Sequence, residues 1–253
     1  MIVYTRPPYP DIKYPHLIVN VFNESSFGYV NPKYVESVII DSGVHSIFHR
    51  YRLKEYPGGY QTWIAKVVKW WNSVRNLIDE VYAVIPDYPS DYEDNQIDDS
   101  VERTIRNIEY AVRRYPDVRW VVPIQGKKDD VVSVVKTYEY VVDMGVLDRY
   151  DYIAIAPTCT TRNIKFLSDV AVLIWKRVKR IENSKRHIKI HMFGADMRSW
   201  KRMAYYIDST DAIVTNYLCL SLTGKKCTKR KEKEQAWQIF LQRVSEVSKV
   251  NWF

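Results

Sequence analysis

The chain has 253 residues, an apolar fraction of 46% and a formal charge of +8 at pH 7. That length suits one large core or two small ones, and no run approaches the roughly 18 uninterrupted apolar residues that a membrane-spanning helix needs. The basic balance favours a polyanionic partner, nucleic acid first, because each neutralised phosphate releases counterions. The densely charged surface of a heat-adapted protein would give the same balance.

In chain order, the first residues lack the basic-then-apolar layout of a secretory leader and carry four prolines within 15 positions, so a cytoplasmic protein is the expectation. Short β-rich apolar runs then alternate with longer segments of helical period. Strands are predicted over 2–5, 17–22, 38–41, 81–86, 120–124, 152–156, 188–192 and 212–215. Between them, Trp63, Ile64, Val67, Val68, Trp71, Val74, Leu77 and Ile78 recur with one-sided helical spacing. Val101, Ile105, Ile108 and Val112 do the same, as do Val131, Val135, Tyr138 and Val142, and then Phe166, Val170, Leu173, Ile174 and Val178. Repeated βα units imply a parallel sheet covered by helices, and eight strands suit a closed (β/α)8 TIM-type barrel. An open doubly wound sheet is the rival. No linker-like composition divides residues 1–253, which read as a single domain ending in a basic run over 224–234 and a final helix from Gln235 to about Val247. Within that run Lys225, Lys226, Lys229, Arg230 and Lys231 are candidates for phosphate contact, or simply a solvated loop.

Cys159, Cys219 and Cys227 are odd in number and irregular in spacing, which argues against a disulfide framework and against a four-cysteine zinc site. Buried or idle thiols are expected. No Gly-rich phosphate loop follows a strand, and no cofactor or metal is expected.

Several apolar runs close on an acid or amide: VIIDSG at Asp41, VYAVIPDYPSD at Asp87 and WVVPIQGKK at Gln125. Singly, each is open to a role as helix N-cap or turn residue. In a barrel, all strand C-termini open on one face, so together they line one pocket.

The same segments carry a resemblance. IIDSGVHSIF resembles the DSGG(F/Y)Q segment of the tRNA-guanine transglycosylase (queuine tRNA-ribosyltransferase) family, PDYPSD its base-reading acidic loop and VVPIQG its VQG segment. IAIAPTC, IHMFGAD and STDAIV then follow in the order of that family's backbone-contact strand, its (H)xxG segment and its nucleophile segment. The resemblance covers most of residues 38–216. It implies a glycosyltransferase that replaces guanine by a 7-deazaguanine in tRNA or DNA through a covalent Asp–sugar intermediate, without a cofactor. Asp211 would attack C1′ and Asp41 would serve as acid and base. Asp87, Gln125 and Gly126 would meet the base edge, Ser42 and Gly43 would lie against it, and the backbone near Ala156 would add a contact. Val44 and His45 stand where the family has its second glycine and aromatic, so His45 is either a stacking imidazole or a turn residue. Lys127 stands where the family's QGG form has a further glycine. The CxCxxC of zinc-bearing members is absent; only Cys219 and Cys227 with His187 or His191 could be drawn into such a site. The short chain is similar to DNA-modifying relatives. A non-catalytic nucleobase-binding barrel and a nucleoside hydrolase share the architecture. Asp211 precedes the apolar run 212–214, which as a strand would set it at the wrong end, with Asp208, Asp196 and Asn216 the nearest polar alternatives.

Overall fold

A computed structural model describes residues 1–90, 99–156, 158, 161, 163–183, 186–195, 197–212, 219–220 and 226–248. Eight strands form one parallel sheet: β1 (Ile2–Tyr4), β2 (His16–Asn20), β3 (Ser37–Asp41), β4 (Glu80–Val84), β5 (Trp120–Ile124), β6 (Tyr152–Ile155), β7 (Lys189–Met192) and β8 (Ser209–Asp211). Their order is β1-β8-β7-β6-β5-β4-β3-β2, and a parallel bridge from Thr5 to Leu17 brings β1 back to β2. The result is a nearly closed (β/α)8 barrel. Its main helices are α1 (Gly59–Val74), α2 (Ser100–Arg114), α3 (Val131–Asp143), α4 (Ile164–Ile181), α5 (Trp200–Met203) and α6 (Arg230–Ser248).

The strands read as apolar runs because both faces are covered. Val38, Ile40, Val81, Val122 and Ile153 pack outward against the helices, while Ile39, Tyr82, Val84, Val121 and Tyr152 fill the lumen in a separate cluster. Full burial of such side chains contributes about 1.5–3 kcal/mol each. Alternation along the strands therefore fixes which residues face inward: odd positions on β3, even on β4, odd on β7 and β8.

Three expectations about these elements are corrected. The last strand is Ser209–Asp211, upstream of the predicted 212–215, of which residues 213–215 lie outside the described residues; its lumen-facing positions are polar and hydrogen-bonded, which hides it from a hydropathy reading. The buried face of α2 is Ser100, Thr104, Asn107, Ile108 and Ala111; Val101, Ile105 and Val112 are only half-buried. The final helix begins at Arg230, five residues before the predicted start, so the second half of the basic run is helical.

The cysteine expectation is also corrected. Cys219 and Cys227 form a disulfide, so they are not idle thiols. An odd total excludes a fully paired set but leaves one pair eight residues apart free to close a short loop. Cys159 lies outside the described residues. Among those described, no helix is long and apolar enough to cross a membrane.

Candidate active site at the strand C-termini

Asp41 is the last residue of β3 and Asp211 the last of β8, so both sit at the C-terminal rim with their side chains on the lumen side. The position of Asp211 disposes of the wrong-end difficulty: the apolar run 212–214 follows the strand. Asp208 stands at the opposite end, where its Oδ1 pairs with His187 Nε2 at 2.8 Å and its Oδ2 accepts the Ile190 amide at 2.7 Å. Asp196 and Asn216 lie outside the described residues.

The two rim carboxylates are held differently. Asp41 Oδ2 accepts a 2.7 Å hydrogen bond from Asn20 Nδ2, and the Ser42 and Gly43 amides also donate to the carboxylate. Burial nevertheless pushes its carboxyl up to about 7, with the charge of Asp211 adding to the rise and those three donors opposing it. Asp211 Oδ1 accepts the Gly194 amide at 2.8 Å and lies 3.2 Å from His191 Nε2. One acid is thus proton-bearing near neutrality while the other has donors fixed on one oxygen.

Local backbone chemistry explains the Asp41 turn. Gly43 has φ +84°, and a Cβ there would meet Asn20 Oδ1 and Phe22 Cβ, each at 2.8 Å. Only glycine takes that conformation and that approach without cost. The chain then forms a π-helical turn, His45–Arg50, which puts exposed His45 and His49 beside the site with ring centroids 4.8 Å apart. Partial desolvation of the ring by the surrounding turn, then the neighbouring His49, lowers the His45 pKa, and the Asp211 charge opposes both. His45 is accordingly within electrostatic reach of the β8 carboxylate.

Asp87 and Gln125 are joined through the segment after β4. Gln125 Nε2 donates to the Tyr88 carbonyl at 2.6 Å, Asn107 Nδ2 to the Pro86 carbonyl at 2.7 Å, and the Tyr88 amide to Thr104 Oγ1 at 2.8 Å. Tyr56 Oη donates to the carbonyl of Asp87 itself. Burial and then the charges of Asp87 and Asp41 raise the pKa of Tyr56, which ties the two acids to one locality. The polar face of α2 is there to hold this turn. Gln125 is 1% exposed, and its Oε1 has no hydrogen-bond partner in the described chain. A buried acceptor left unpaired costs about 1–3 kcal/mol. Gly126 packs against α3, where a Cβ would meet Val134 Cγ2 at 2.5 Å; its role is close packing. The Ala156 amide donates to Ile124 and its carbonyl accepts from Thr158, so both backbone groups are used within the chain.

None of Asp41, Asp87 or Gln125 caps a helix. The capping side chains are those of Asp130 for α3 and Asn163 for α4. Sequence reasoning missed Asn20, although LIVN closes on an amide just as VIID closes on an acid. It took in His191 as the histidine of the (H)xxG-like segment IHMFGAD and in connection with zinc, with no role beside Asp211.

The described part of the basic run, residues 226–234, is on the same side of the molecule. At its far end α6 places Ser248 Oγ 3.5 Å from the Met1 carbonyl, at the strand starts, while Arg230 at its near end pairs with Asp11 in the loop after β1. Lys226, Lys229 and Lys231 are exposed there. Arg230 is bound to both Asp11 (2.5 Å) and Glu234 (2.7 Å). Lys225 lies outside the described residues. Among those described, no group of three His, Cys, Asp or Glu side chains could hold a metal ion.

No protein-family model matches the chain, and no curated protein matches it either.

Proposed function

We propose that the chain is a base-exchanging glycosyltransferase that replaces guanine by a 7-deazaguanine in tRNA or DNA, as its resemblance to the tRNA-guanine transglycosylases implies. The observation that carries this reading is the pair of rim acids held in different surroundings. Asp41 is raised to about 7 by burial and by Asp211, whereas Asp211 Oδ1 is fixed by two donors. Pairs of titratable groups set apart by their surroundings are what acid and nucleophile roles require.

In this mechanism an Asp211 oxygen attacks C1′ as the C1′–N9 bond breaks, and Asp41 gives its proton to the departing guanine. The incoming base then loses its N9 proton to Asp41 as it attacks C1′, and the Asp211–sugar bond breaks. A pKa near neutrality suits a group that must both give and take a proton. Gln125 Oε1 and the Asp87 carboxylate supply acceptors for the N–H groups of the base edge. A nucleotide reaching this pocket must be flipped or single-stranded, and Lys226, Lys229 and Lys231 are available for its backbone.

The test is incorporation of radiolabelled guanine or 7-deazaguanine into unmodified tRNA and DNA, beside Asp41→Asn and Asp211→Asn. The expected result is label in one polymer, abolished in both variants. Free guanine release without incorporation would indicate a hydrolase, and no reaction with any polymer would indicate a binding protein.

A further inference from the structure

Asp211 is the end of a hydrogen-bond chain that crosses the barrel lumen. Its Oδ1 meets His191 Nε2 at 3.2 Å, His191 Nδ1 meets Ser209 Oγ at 2.9 Å, and Ser209 Oγ meets Tyr152 Oη at 2.6 Å. His191, Ser209 and Tyr152 are 0%, 1% and 1% exposed, so water does not compete for these bonds. At the far end Tyr152 has a further side-chain hydrogen bond, to Tyr4, and the direction of each hydrogen follows from Asp211 and from a ring that carries one hydrogen. Asp211 Oδ1 already accepts the Gly194 amide at 2.8 Å and is therefore an acceptor, which makes Nε2 the donor. With one hydrogen on the ring, Nδ1 accepts from Ser209, and the Ser209 oxygen accepts from Tyr152. Every donor in the chain points toward Asp211, and bonds aligned in this way strengthen one another.

We infer that His191 is a positioning residue for Asp211: Ser209 and Tyr152 select its Nε2–H tautomer, which anchors Oδ1 and leaves Oδ2 as the oxygen offered to a substrate. Among the described residues Oδ2 has no hydrogen-bond partner. The strand register builds the device, since His191 and Ser209 are paired across β7 and β8 and both face the lumen. The catalytic consequence rests on the base-exchange reading; the tautomer does not.

Nitrogen-15 NMR of histidine-labelled protein at pH 8 tests the tautomer, with the His191 signals identified by their loss in His191→Gln. The expected spectrum has a protonated Nε2 and a bare Nδ1, and the Nδ1 signal moves in Ser209→Ala. A protonated Nδ1, with or without Nε2, would overturn the inference. In the base-exchange assay, Ser209→Ala should lower turnover roughly tenfold to a hundredfold, as removal of an orienting partner does, with KM for the incoming base unchanged. Ser209→Thr, which keeps the hydroxyl, should restore it. Wild-type turnover in a folded Ser209→Ala protein would also overturn the inference. If the wild-type chain exchanges no base, the base-exchange reading fails and the ring's protonation alone upholds or overturns the positioning of Asp211.

Discussion

Asn20 Nδ2 donates a 2.7 Å hydrogen bond to Asp41 Oδ2, across the pair in which β2 and β3 stand in register at their C-terminal ends. The bond favours the ionised carboxylate and so restrains the rise that burial imposes. Replacing Asn20 by Leu should therefore lift the Asp41 midpoint above its value of about 7, and carry the alkaline limb of activity upward with it. Carbon-13 NMR titration of the Asp41 carboxyl checks this; a midpoint that stays or falls would refute the assigned role of the amide. The substitution also strips Phe22 N of its acceptor, Asn20 Oδ1 at 2.8 Å, at a cost of about 1–3 kcal/mol.

Asp41 also makes stability depend on pH. Between its ordinary value of 3.8 and its folded value of about 7 the side chain is ionised in the unfolded chain and protonated in the native one. The native state then binds the extra proton, so stability falls as pH rises through that window and levels off above it. Asp41→Asn lacks this slope. Relative to wild type it should gain on the order of a few kcal/mol between pH 4 and pH 8, since one pKa unit is worth about 1.4 kcal/mol. Urea unfolding of both proteins across that range measures the gain, and parallel curves would contradict it.

Gly43→Ala should be destabilising by roughly 2–4 kcal/mol, from a left-handed backbone and contacts at 2.8 Å with Asn20 Oδ1 and Phe22 Cβ. Because the Gly43 amide also serves Asp41, binding of the incoming base should weaken in the protein that remains folded. Chemical denaturation and equilibrium dialysis report the two effects separately.

On the basic rim, Lys229→Glu with Lys231→Glu should weaken binding to a single-stranded oligonucleotide and flatten its dependence on salt by about 0.7 for each phosphate no longer neutralised. Arg230→Ala should do so less, because its guanidinium is already engaged by Asp11 and Glu234. Fluorescence anisotropy over a salt series distinguishes the lysine pair from Arg230. Equal effects would mean that the ion pairs open on binding.

Seven strands were legible because residues such as Ile39 and Ile40 are buried on opposite faces and leave an uninterrupted apolar run. The eighth was displaced because Ser209 and Asp211 face a polar strip of lumen, and only the structure reveals that Tyr152 and His191 are there to satisfy them. Asp41, Asp87 and Gln125 could be singled out by a simple rule, an apolar run closing on a polar residue. The residues that hold them could not. Thr104, Asn107 and Tyr56 act on backbone atoms of the turn after β4 from 16 to 31 positions away, and hydropathy carries no trace of such interactions. The Cys219–Cys227 pair escaped for a related reason: counting thiols addresses whole frameworks, whereas one link depends only on where two chain segments meet.

In the proposed mechanism Asp211 carries the sugar. Incubating the protein with its polynucleotide and no incoming base, quenching in acid and mapping the adduct by peptide mass spectrometry tests it most directly. A ribosyl or deoxyribosyl ester on the peptide bearing Asp211, absent from Asp211→Asn, is the predicted result; an adduct on Asp41 or Asp208, or base exchange with no adduct at all, would contradict it.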